Sequence, residues 1–178
     1  MDFHDFNKDG RLDILLTENL FGYLVWLQQP ANPNENWLLH PVGTILPDQL
    51  VGFILEDIND DGHVDIMTGA YSRGPREEDG DATVNDDLGR LAWFENSGET
   101  PPTWTRHDIS RRKRGMFDKF IARDMDGDGD TDFVGTRGNS LPYDGVFWLE
   151  QVRSAKPKAA FTRARENESA EMPLPENN

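Results

Sequence analysis

The chain has 178 residues, 36% of them hydrophobic and 10% aromatic, with a formal net charge of −15 and no cysteine. That length allows one domain with a real core or part of a larger one, and the missing cysteine excludes a disulfide framework, a thiolate metal site and a cysteine nucleophile. Nucleic acid and anionic membranes would be repelled by this charge, no apolar run approaches the roughly 18 residues of a membrane span, and no signal peptide is visible at the N-terminus.

In chain order, the first element is an acidic loop, "DFNKDGRLD" at 5–13, followed by a β-rich segment at 12–17 and an aromatic strand, "YLVWLQQ", at 23–29. A further strand, "NWLLHPV", is expected at 36–42, and a turn at 43–50. The same order then returns. An apolar lead-in at 53–55 precedes "DINDDGHVD" at 57–65, a strand at 64–69, an insertion at 70–89, "RLAWFEN" at 90–96 and "TWTRHDI" at 103–109. A third passage runs through a basic turn at 110–117, a lead-in at 120–122, "DMDGDGDTD" at 124–132, a strand at 131–136, a loop at 137–145 and "GVFWLEQ" at 145–151. "AAFTRAR" at 159–165 is a degenerate candidate for the last strand, and 166–178 reads as a disordered tail.

All three loops fit D-x-(D/N)-x-D-G-x-x-D. Ca²⁺ takes about six to eight hard oxygen ligands, and side chains at positions one, three and five of a tight loop converge on one point. The carbonyl at position seven and the carboxylate at position nine would complete the shell, with glycine at six permitting the turn. The candidate ligands are Asp5, Asn7, Asp9, Asp13 and the Arg11 carbonyl; Asp57, Asn59, Asp61, Asp65 and the His63 carbonyl; and Asp124, Asp126, Asp128, Asp132 and the Asp130 carbonyl. Position twelve is Leu16, Thr68 or Gly135, so these are not EF-hands. A solvated acidic turn would explain one match as well as a cation does, but three in phase favour the cation. The third loop, with four ligand carboxylates, should bind most tightly.

The repeat extends to the tryptophans. Trp26, Trp93 and Trp148 share one position, and the pairs Trp37/His40 and Trp104/His107 share another. Tandem small sheets with apolar strands call for a β-propeller. The loops, lead-ins and "WFEN"-like strands resemble the FG-GAP/VCBS repeat family, the calcium-bearing propeller blades also found in integrin α-subunits. The resemblance covers roughly residues 1–152 as units 1–43, 51–110 and 118–152, an all-β fold of about three four-stranded blades. It implies a mainly structural Ca²⁺ in each hairpin, an extracellular or cell-surface setting, and adhesion or carbohydrate handling.

The first blade is cut, because Met1 stands where Phe53 and Phe120 stand in the others. Three blades do not close a ring of the usual four to eight, so the chain is either a piece of a longer propeller or a unit that assembles with copies of itself. A possible ligand rim opposite the acidic loops comprises Tyr71, Arg73, Arg76, Arg111, Arg112, Arg114 and Tyr143, suited to a carboxylated or sulfated sugar or a protein. "RRKR" at 111–114 reads more readily as a solvated turn that neutralises nearby acids. His40 and His107 read as packing or hydrogen-bonding residues. No catalytic motif appears, so the expectation is a binding, adhesion or scaffolding module, the alternatives being the propeller part of a polysaccharide lyase or sugar dehydratase, or a self-assembling ring.

Overall fold

The computed structural model describes residues 1–18, 22–73, 79–142, 144–153 and 169–175, which hold eleven strands and no helix. β1 (Asp2–His4), β2 (Asp13–Glu18), β3 (Tyr23–Gln28) and β4 (Leu38–Thr44) form a four-stranded antiparallel meander. β5 (Gln49–Glu56), β6 (Asp65–Tyr71), β7 (Gly89–Asn96) and β8 (Trp104–Arg112) repeat that meander. β9 (Met116–Arg123), β10 (Asp132–Gly138) and β11 (Gly145–Leu149) repeat its first three strands. The single pair Tyr71–Met116 joins the second and third meanders into one seven-stranded sheet, and neither sheet closes into a barrel.

The strands fall where β-branched, aromatic and leucine residues run between Asp- and Gly-rich turns. All the expected strands up to residue 151 are present, shifted by a few residues, and β1, with three residues, stands in the place of the first lead-in. The candidate strand 159–165 lies outside the described residues.

Successive side chains of a strand face opposite ways, and the middle meander uses both faces. Ile66, Ala70, Ala92 and Phe94 join Phe6, Leu15, Leu24 and Trp26 in one core. Met67, Leu91 and Trp93 join Phe117, Phe120, Phe133, Phe147 and Leu149 in the other. The central strand β6 is therefore almost wholly buried, Asp65 and Thr68 included, as expected of a strand packed on both faces. β11 departs from that expectation: Val146 is 76% and Trp148 49% exposed. Its other face packs through Phe147 and Leu149, but nothing among the described residues covers this one.

The meanders approach closely. A Cβ on Gly69 would lie 2.2 Å from the Phe117 carbonyl oxygen, so that position admits glycine alone without backbone movement.

The ends of the strands opposite the acidic loops are bound together by buried ions. Asp48 is fully buried, accepts from Leu88 N at 2.8 Å, and takes both the Nε and one terminal nitrogen of Arg111 at 2.7 Å. Arg90 donates to Asp48 at 3.4 Å and to the Ile45 carbonyl at 3.0 Å. Arg111 also reaches the carbonyls of Val84, Asp86 and Pro173. Residues 169–175, within the tail expected to be disordered, are docked here. Lys113 N donates to Ala170 O and Met172 N to Arg111 O, extending the edge beyond β8.

Replacing one partner of a buried, bidentate ion pair leaves the other charge uncompensated. Asp48→Asn should cost about 3–5 kcal/mol, whereas Arg73→Ala, at an exposed pair with Asp87, should cost less than about 1 kcal/mol. Urea denaturation of the two variants against the unaltered chain checks the difference.

Candidate metal centres

Each acidic loop connects the first two strands of its meander, and the three adopt one conformation. Position four is left-handed in all of them, at Lys8 (φ 57°), Asp60 (φ 58°) and Gly127 (φ 83°). Position six is left-handed too, at Gly10 (φ 87°), Gly62 (φ 85°) and Gly129 (φ 94°), which is why the sequence keeps glycine there.

Most of the hydrogen bonds repeat, the third loop differing in that the second donor to position one is position four and not position five. The position-one carboxylate accepts from the loop's backbone: Asp5 from Asp9 N and Gly10 N, Asp57 from Asp61 N and Gly62 N, Asp124 from Gly127 N and Gly129 N. Position five accepts from the N–H of position seven at 3.0, 2.8 and 3.1 Å, for Asp9, Asp61 and Asp128 in turn. These bonds tie the carboxylates of positions one and five to the loop backbone.

Position nine is different. Asp13, Asp65 and Asp132 are all fully buried. One oxygen of each accepts from the N–H of position two (Phe6, Ile58, Met125) at 3.0 Å. The other accepts from the N–H three residues past the Trp of the third strand: Gln29 at 2.9 Å, Asn96 at 2.8 Å and Gln151 at 2.9 Å. Each oxygen keeps a second lone pair, so a role in a cation shell remains compatible with this clamp.

Among the described residues, Asp124, Asp126 and Asp128 are the group whose carboxylate oxygens lie within 4.8 Å of one another, all exposed. In the other loops the amide at position three relieves the crowding by donating to position five, Asn7 to Asp9 at 2.8 Å and Asn59 to Asp61 at 3.1 Å. Asp126 has no such donor. The third loop therefore concentrates unrelieved negative charge, and its donor set of hard oxygens fits Ca²⁺. Asp130 adds a carboxylate that the spacing did not assign. Its side chain is 8% exposed with Oδ1 unpartnered, and burial, then the neighbouring Asp128, pushes its carboxyl upward.

Of the expected rim, Arg76 and Tyr143 lie outside the described residues. Arg73 is exposed and donates to Gln49, and Tyr71 is half-buried at the end of β6. Arg111, Arg112 and Arg114 are buried, at 1, 1 and 6% exposure, and serve Asp48, the Ser169 carbonyl and Asp79. The run that looked like a solvated or ligand-facing turn is internal framework. His40 and His107 lie flat on Trp26 and Trp93, with ring centroids 4.0 and 4.4 Å apart, and bond Gln28 and Glu95. The latter pair, two residues after each Trp, escaped the sequence reading, although the recurring W-x-(Q/E) pattern marks it.

No family model, curated protein or solved structure matches the chain.

Burial drives the Asp65 carboxyl up to about 6 against the backbone hydrogen bonds from Asn96 and Ile58, with Asp61 and Asp57 adding to the rise. The folded chain then holds this proton more tightly than the unfolded chain does. In metal-free solution this group's stabilising contribution is full below the unfolded value of 3.8 and is lost as pH rises through about 6. Thermal midpoints of the metal-stripped chain and of Asp65→Asn at the two ends of that range should show a smaller pH dependence in the variant.

Proposed function

We propose that the chain is a calcium-binding segment of a β-propeller, its three meanders being successive blades, and that it serves as a binding or scaffolding module. The observation that carries the cation is the threefold recurrence of one loop, with the same two left-handed positions and the same bond from the position-six N–H to the position-one carboxylate, and the gathering of Asp124, Asp126 and Asp128 in the third. Asp5, Asn7, Asp9 and Asp13 would hold the first ion, Asp57, Asn59, Asp61 and Asp65 the second, and Asp124, Asp126, Asp128 and Asp132 the third, with the carbonyls of Arg11, His63 and Asp130. The bound ion offsets carboxylate repulsion and couples metal to folding.

The blade reading is supported by the way the meanders stack. Phe6, at position two of the first loop, sits 5.9 Å from Trp104 of the following meander, and Ile58 lies in the core shared with the third. The third loop's equivalent, Met125, is 49% exposed, as is Trp148. A row that offers the next apolar face is an unfinished ring. That same face favours a second reading, in which copies of the chain complete the ring.

A glycan or protein ligand, adhesion and an extracellular setting remain expectations of the resemblance. With Arg111, Arg112 and Arg114 engaged inside the fold, the recognition of an acidic sugar would fall to other residues.

Calcium titration of the full chain followed by native mass spectrometry tests the proposal. Three ions per chain are expected, two for Asp128→Ala, and the oligomer mass distinguishes a self-completing ring from a lone segment. Identical thermal midpoints with and without calcium would count against the cation sites.

A further inference from the structure

The first and second loops share one ligand pattern, D-x-N-x-D-G-x-x-D, but differ in the charges that touch it. Beside the second stands Glu95 on β7. Its Oε1 accepts from Asn59 Nδ2 at 3.2 Å, and its Oε2 meets His107 Nε2 at 2.7 Å. His107 is itself stacked on Trp93. Glu95 is thus held on two sides, by the sheet through His107 and by the loop through Asn59.

An asparagine offers a hard cation one oxygen, while its NH₂ group can only repel it. The NH₂ group of Asn59 also donates to Asp61, as Asn7's does to Asp9, so Glu95 adds a second acceptor that reinforces the orientation in which Asn59 Oδ1 accepts from Asp61 N at 3.1 Å. Glu95 also sets a fourth carboxylate beside a loop that has three of its own at ligand positions.

In the first loop the position of Glu95 is taken by Gln28, a neutral amide bonded to His40. A cation belonging to the chain is present instead. The Arg11 guanidinium pairs with Asp9 and is steadied by donating from Nε to the Gln29 carbonyl at 3.1 Å. An entering ion must displace Arg11 from Asp9 or share the carboxylate with it.

We propose that these two loops are unequal calcium sites: Glu95 fixes Asn59 in its ligating orientation and strengthens the second, while Arg11 acts as a built-in competitor that weakens the first. The inference rests on the cation reading of the loops. Glu95 is a positioning residue, acting through Asn59. With the carboxylate-rich third loop ahead of both, the sites fill in the order third, second, first.

The position-six glycine amides report each loop separately. Nitrogen-15 spectra of the full metal-free chain titrated with calcium chloride should show Gly129 shifting first, Gly62 next and Gly10 last. Glu95→Gln should raise the calcium concentration at the Gly62 midpoint by about 10-fold and leave Gly10 and Gly129 in place. A merely structural role for Glu95 would move all three together. Arg11→Met should lower the Gly10 midpoint by roughly 5-fold, and this variant keeps the test open if Glu95→Gln does not fold. Coincident Gly10 and Gly62 midpoints, or variants that leave their own loop unmoved, overturn the inequality while calcium still binds. Absence of any shift at all three glycines overturns the cation reading itself, a separate result.

Discussion

The buried aspartate at the ninth position of each loop is the constraint on which the rest depends. It stands at the start of the second strand of its meander and spends one oxygen on the loop and the other on the chain leaving the third strand. One carboxylate thereby ties together three segments that separate in sequence. Hydrogen bonds to a charged group contribute about 1.5–3 kcal/mol each, and a buried carboxylate without them would be untenable. The clamp recurs in all three loops together with the left-handed positions four and six, so the three close in the same way at their ends.

From that anchor the sites and the stacking are built together. Position two of each loop, pinned by the clamp, carries the apolar residue that reaches forward, Phe6 and Ile58 into shared cores. In the third loop the carboxylates of positions one, three and five are left close together at the surface. An acidic loop is tolerable there because the same turn that gathers the carboxylates also supplies backbone N–H groups to them. At the far end of the strands the logic is reversed. Asp48, Arg90 and Arg111 bury their charges and bind the insertion, the first meander's end and residues 169–175 into one network. One end of the molecule is thus locked by internal ion pairs and the other is held by loops suited to an external ion.

The sequence was legible where spacing is local. Nine-residue loops, tryptophan positions and apolar runs each carry their structure within a few residues, so the strands and the loop conformations could be read directly. Arg111, Arg112 and Arg114 were not, because their partners Asp48, Ser169 and Asp79 lie far away in the chain and no local pattern distinguishes a buried arginine from a solvated one. The docking of 169–175 was hidden for the same reason: "SAEMPLP" contains little that can pack, and what holds it is backbone pairing to the β8 edge together with Arg111 and Arg112 on its carbonyls. Position nine was read as a ligand alone. Its second task, clamping the Trp strand, depends on register between strands two and three, which spacing in one loop does not encode. The side chain of Asp130 escaped because position seven is chosen for its carbonyl.

The most direct measurement is the calcium anomalous difference map of crystals of the full chain grown with calcium. The account predicts one peak in each loop, bounded by Asp5, Asn7 and Asp9, by Asp57, Asn59 and Asp61, and by Asp124, Asp126 and Asp128, with the position-nine clamps intact. Loops of unchanged conformation that hold no peak would contradict it.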